Sequence, residues 1–154
     1  MRIIWFLSSK NLNALNYGLK GVCFCDLFCI VFNFYLCKIE CNSMQNNSTA
    51  YIVEDHLFLV TPVIFEMYLQ ETGQPYDKET INNLQYDFQG LGIHSPKNTM
   101  TNGKPDTINF WKCDVIGPRK TSSLTGYLIK NTRLFFGDKV LLNNHCLTLQ
   151  KEET

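Results

Sequence analysis

The sequence predicts an α+β fold, a small winged-helix-like domain made of a hairpin, two helices and a β-ribbon wing. Three observations predict it. Two short runs of β-formers, Ala50–Val53 and Leu57–Val60, are separated only by Glu54-Asp55-His56. Two capped amphipathic stretches follow. Two further strand-like runs, Ile108–Ile116 and Leu124–Ile129, lie beyond them.

The chain has 154 residues, 45% hydrophobic and 18% charged, which is the balance of a globular domain and not of a disordered one. Composition divides it into an atypical apolar segment at 1–36, a domain at 37–150 and a polar tail at 151–154. Val22–Cys37 is apolar apart from Asp26 and Asn33, and Cys23, Cys25, Cys29, Cys37 and Cys41 crowd into or beside it. It is shorter than the roughly 20 apolar residues of a membrane span, and no small-x-small cleavage site follows. Three readings of this run stay open: a buried helix of the domain, a membrane anchor, or a stretch foreign to the native protein. Phe and Cys make up half of it, with Asn and Tyr beside them, as in chance translation of AT-rich DNA from a truncated or frame-shifted gene.

Each element of the body has a local reason. Thr61 offers an N-cap with Pro62 in the first helical position, and a helix should run to Thr72, where Gly73 ends it. Val63, Phe65, Met67 and Leu69 give it apolar surface. Asp77 caps a second helix whose buried face is Ile81, Leu84, Phe88 and Leu91, with Gly90 and Gly92 at its end. Two short helices with a tight connector suggest helix-turn-helix geometry. Ser95–Pro105, with Pro96, Asn98, Asn102, Gly103 and Pro105, reads as a loop. Phe110, Trp111 and Val115 lie in the expected strand Ile108–Ile116, which Gly117-Pro118 breaks. Thr121-Ser122-Ser123 forms the turn into Leu124–Ile129.

No active site is legible. There is no phosphate-cradling P-loop and no His-Glu-x-x-His motif. The histidines, His56, His94 and His145, are widely spaced. No Cys-x-x-Cys pair occurs among the seven cysteines, so no cofactor or metal is expected. Tyr68, Tyr86 and Tyr127 read as core or interface residues, and Cys113 as a buried, inert thiol.

Charge says more. Lys plus Arg (14) balances Asp plus Glu (14) overall. From Ser95 to Phe135, however, Lys97, Lys104, Lys112, Arg119, Lys120, Lys130 and Arg133 stand against Asp106 and Asp114, seven minus two or +5. From Tyr51 to His94, Lys78 stands against seven carboxylates, one minus seven or −6. The seven cations are the candidate DNA-binding residues, through phosphate contacts; an ordinary solvated surface is the alternative. The second helix carries no basic residue beyond Lys78, which argues against base readout by a recognition helix. Its acidic face would equally suit a partner protein or another domain.

Four segments carry a family resemblance. They are Leu57–Phe65, Gln85–His94, Asn109–Lys120 and Leu124–Ile129 followed by Leu134-Phe135. In content, order and spacing this set resembles the C-terminal domain of conjugal-transfer nickase/helicase proteins of the TraI type. The resemblance implies a winged-helix-like domain at the end of a large relaxase that acts on DNA during plasmid transfer. It implies nicking chemistry in a separate N-terminal region with its own metal site, so no catalysis is expected in this chain. Two departures stand out: Asn144-His145-Cys146-Leu147 lacks the family's proline and aromatic, and the Cys-rich run replaces a polar first helix. The expected role is non-catalytic DNA binding or positioning in a bacterial cytoplasm, in a domain that could be a detached fragment. The alternatives are docking onto the transfer machinery or the relaxase region, and a small membrane-tethered protein.

Overall fold

The computed structural model describes residues 49–117 and 120–151. The run Val22–Cys37, the domain's expected start at residue 37 and Arg119 lie outside the described residues.

The first hairpin forms where its β-formers predict. β1 (Ala50–Val53) pairs antiparallel with β2 (His56–Val60), Val53 opposite His56. That register leaves a two-residue turn, in which Glu54 and Asp55 both have positive φ, 49° and 65°. Such a primed turn matches the twist of the strands but strains L-residues. Asn143 compensates: its Oδ1 accepts the Asp55 N–H at 2.7 Å and its Nδ2 donates to the Asp55 carboxylate at 2.8 Å.

α1 (Val63–Thr72) and α2 (Lys78–Gly90) follow. Gly73 ends α1 at φ 66°, as expected. Its start differs from expectation. Pro62 occupies the N-cap position, after a cis Thr61–Pro62 bond, and no side chain caps the helix. The Thr61 hydroxyl donates instead to Gln85 Oε1 at 2.8 Å, tying the head of α1 to α2. Asp77 caps α2 as predicted, accepting the Thr80 N–H at 2.7 Å, and these hydrogen bonds hold its carboxyl below the usual range. Leu84 and Phe88 are the buried residues of α2.

The second half departs further. The expected loop Ser95–Pro105 contributes to a separate two-stranded ribbon, β3 (Lys97–Thr101) with β4 (Lys104–Ile108). Asn102-Gly103 turns it, at φ 52° and 74°. β5 (Trp111–Ile116) and β6 (Thr121–Ile129) are antiparallel partners as predicted, but Thr121-Ser122-Ser123, expected as the turn, pair with Ile116, Val115 and Asp114 inside β6, and Ile108 belongs to β4. They do not form a free wing. They sit inside a five-stranded sheet of order β1-β2-β6-β5-β7, where β7 (Leu147–Leu149) follows a single helical turn, α3 (Arg133–Phe136). The sequence signals neither α3 nor β7: each is too short to show a period. Among the described residues the architecture is therefore a small mixed α/β domain with an antiparallel sheet and few helices.

Alternation along the strands sorts the core. Ala50, Ile52, Leu57, Leu59, Tyr127 and Ile129 meet Phe65, Leu69, Leu84 and Phe88 of the helices. Val53, Phe58, Leu128, Cys113, Leu147 and Leu149 form a second buried cluster on the opposite face. Burial on both faces explains why β2 reads as an unbroken apolar run, and each such Leu or Phe contributes about 1.5–3 kcal/mol. No helix among the described residues is long and apolar enough to cross a membrane.

Candidate nucleic-acid interface

Three strand ends converge on one aromatic ring. Trp111 begins β5, on the face shared with Cys113 and Val115. Its cross-strand partner is Gly126, so no side chain stands against it there. β5 starts only at Trp111, and Ser95 takes the next place along β6, its N–H donating to the Leu128 carbonyl at 2.7 Å. The Ser95 carbonyl accepts the Trp111 indole N–H, also at 2.7 Å. β3 leaves from this point, and its first residue, Lys97, is brought to the indole.

The cations gather accordingly. Lys97 Nζ lies 5.5 Å from the Trp111 ring centroid and Lys130 Nζ, one residue past β6, lies 6.0 Å from it. Both are within reach of a cation–π attraction. A groove of about 520 Å³ opens beside the ring. The buried Leu128 and Leu149 form its floor, Lys97, Lys130 and Lys151 line it, and among the described residues Glu54 is its single carboxylate. The formal charge of the described Lys and Glu residues there is thus three minus one, or +2. The ribbon extends this surface. Lys97 pairs with Ile108 and Thr101 with Lys104, so Lys97 and Lys104 share one ribbon face. They stand about 13 Å apart along the strand.

The helical side of the sheet carries a different arrangement. Gln89 Nε2 donates to the Tyr127 hydroxyl at 2.8 Å, and Asn109 Nδ2 donates to Gln89 Oε1 at 3.2 Å. Asn109 Oδ1 therefore accepts from His94 Nε2, 3.0 Å away. This network fastens α2 to the start of β5 and to β6. Burial pushes the Tyr127 hydroxyl up, and the Gln89 hydrogen bond opposes it. Burial also pushes the Cys113 thiol up, to about 11, which makes it a poor nucleophile. Among the described residues no three His, Cys, Asp or Glu side chains cluster so as to hold a metal ion.

Residues 37–149 match the family model described as "Putative conjugal transfer nickase/helicase TraI C-term". The chain belongs to this family. Among solved structures it is similar to the C-terminal domain of the Salmonella enterica protein STY4665, a DUF1528 domain. The TM-score is 0.57 and the identity 20%, over 94% of this chain and 100% of that one. At that identity the likeness shows the fold alone. No curated protein matches the chain.

In this TraI-type domain the sequence-predicted cations do not form one patch. Lys97 and Lys130 meet at Trp111, and Lys104 lies along the ribbon. Lys112 is exposed on β5 but alternates to the opposite sheet face, and Lys120 is exposed before β6. Arg133 lies in α3, 3.5 Å from the Asp138 carboxylate, with both side chains exposed. Two groove residues went unrecognised in the sequence. Trp111 reads only as a residue of the expected strand, and Lys151 as part of a polar tail. A signal for Lys151 exists: it stands two residues after Leu149, at β-period on the same face.

Proposed function

We propose that this domain is a non-catalytic module that holds DNA by its phosphates during conjugal transfer. One observation carries the reading: Lys97 and Lys130, far apart in sequence, converge on Trp111 in a groove with net positive charge. Ammonium groups beside an aromatic surface are suited to a nucleic acid, whose phosphates and bases they engage together. The family's description, which names a nickase/helicase, supplies the setting. The acidic α2 lies on the other face of the sheet and is not the DNA-reading element in this proposal.

The test is binding of a labelled oligonucleotide by fluorescence anisotropy, at salt from about 50 to 200 mM. Affinity should fall steeply with salt. Lys97→Ala with Lys130→Ala should lower it about tenfold at low salt, whereas Lys112→Ala with Lys120→Ala should leave it unchanged. Salt-independent binding, or equal effects of the two pairs, would overturn the assignment.

A second reading, docking of a basic protein segment, draws on a groove of about 450 Å³ against the helices, where Glu66 and Asp77 outnumber Lys78 beside Gln85 and Phe110. Glu66→Lys should abolish such docking and leave DNA binding intact.

A further inference from the structure

We infer that Trp111 is a base-stacking platform, so that the groove takes single-stranded DNA in preference to duplex; the inference rests on the DNA-binding reading above. The ring has the required rigidity. Its indole N–H is engaged by the Ser95 carbonyl, which fixes the ring plane relative to β6. It is only half-buried and lines the groove, so aromatic surface faces the space a ligand would occupy.

The surroundings supply the rest. Leu128 and Leu149, both buried, form the floor beneath the ring, so the exposed aromatic surface is that of Trp111 itself. Lys97 and Lys130 end in ammonium groups on flexible stems. An arriving base can displace them from the ring toward its flanking phosphates, which exchanges a weak attraction to the ring for a stronger charge pairing. Lys151 offers a third cation, and Lys104 continues the same track along the ribbon face. An aromatic ring inside a cationic groove is the arrangement that holds single strands with little sequence preference.

Duplex DNA cannot use this ring. Its base faces are already stacked on one another, so a double helix would meet only the lysines. Nor does the groove present a helix to a major groove: α2, with Lys78 as its one basic residue, packs against the opposite face of the sheet. The volume, about 520 Å³, suits a nucleotide and not the body of a double helix.

The experiment uses the full chain with three labelled probes: an oligothymidylate, a mixed-sequence duplex of equal length, and an oligouridylate. The single DNA strand should bind at least about tenfold more tightly than the duplex. Trp111→Leu should lower single-strand affinity about tenfold and leave duplex affinity unchanged, with Trp111→Phe in between. If Trp111→Leu fails to fold, the Trp5→Phe protein retains Trp111 as its single tryptophan, excited selectively over the tyrosines. Its emission should then be quenched by the single strand and not by the duplex. Equal affinity for single strand and duplex, or Trp111→Leu losses equal for both, overturns stacking and leaves the phosphate reading standing. Tighter binding of the oligouridylate overturns the assignment to DNA. Failure of all three probes to bind at low salt overturns the DNA-binding reading itself.

Discussion

The Trp111 indole N–H donates to the Ser95 carbonyl oxygen at 2.7 Å, and this bond joins the five-stranded sheet to the point where the β3–β4 ribbon departs. It holds both the ring and the chain that delivers Lys97. Replacing Trp111 by Phe keeps an aromatic body but removes the donor, leaving the Ser95 carbonyl short of a partner. The expected loss is about 1–2 kcal/mol in urea denaturation. A loss of only a few tenths would mean that the indole is not pinned.

Gly126 sits where β6 crosses between β2 and β5, opposite both Val60 and Trp111. A Cβ there would run into the Leu59 carbonyl oxygen and lie 2.9 Å from the Phe58 ring. The carbonyl belongs to a paired strand and has nowhere to move. Gly126→Ala should therefore destabilise by about 2 kcal/mol or more, by overpacking and not through backbone entropy. Thermal denaturation reads this directly, and an unchanged midpoint would show that β2 yields.

How far the sequence foretells this fold depends on the reach of each signal. The first hairpin, α2 with its Asp77 cap, and the α1 terminus at Gly73 rest on neighbours in sequence, and they form as expected. The ribbon carried a local signal too, Asn102-Gly103, but its flanks are exposed and lack an apolar alternation, so it reads as loop. The place of β5 and β6 inside a larger sheet depends on pairing with β2 and β7, which no local pattern encodes. The same holds for the candidate site. Lys97 and Lys130 are visible as charges, but their meeting at Trp111 follows from Ser95 docking on Leu128. The same register sends Lys112 to the other face.

Cys113 is fully buried between β6 and β7, and burial raises its thiol from an ordinary 9.0 to about 11. In the native state the proton is retained; in the unfolded state it leaves near pH 9. The native chain thus binds more protons between about pH 9 and 11, and stability must fall as pH rises through that window. The slope from this group is at most about 1.4 kcal/mol per pH unit. Cys113→Ala should be less stable at neutral pH, yet show a flatter decline from pH 9 to 11 in urea midpoints. Parallel curves for the two proteins would contradict this account.

The Gln89 side chain serves two partners, donating to Tyr127 and accepting from Asn109. Gln89→Leu preserves its bulk and strips both bonds, leaving two part-buried polar groups unmet. About 1–3 kcal/mol should be lost in thermal denaturation. Adding Tyr127→Phe removes one of those stranded groups, so the double variant should lose less than the sum of the single losses. Strict additivity would show that the two side chains act independently.

Salt dependence distinguishes lysines that touch phosphates from lysines that only raise the surface potential. Each phosphate neutralised on a single strand steepens the plot of log K against log salt by about 0.7. Lys97 and Lys130 are the two cations held at the Trp111 ring, so removing both should flatten the slope by about 1.4. Lys112→Ala with Lys120→Ala should leave the slope unaltered, because Lys112 projects from the opposite sheet face and Lys120 lies ahead of β6. Trp111→Leu provides the counterpart: it should lower affinity at every salt concentration without changing the slope, since a stacked base releases no counterion. A slope that flattens equally in all three variants would show that the oligonucleotide spreads over the whole basic half of the domain and does not settle in the groove.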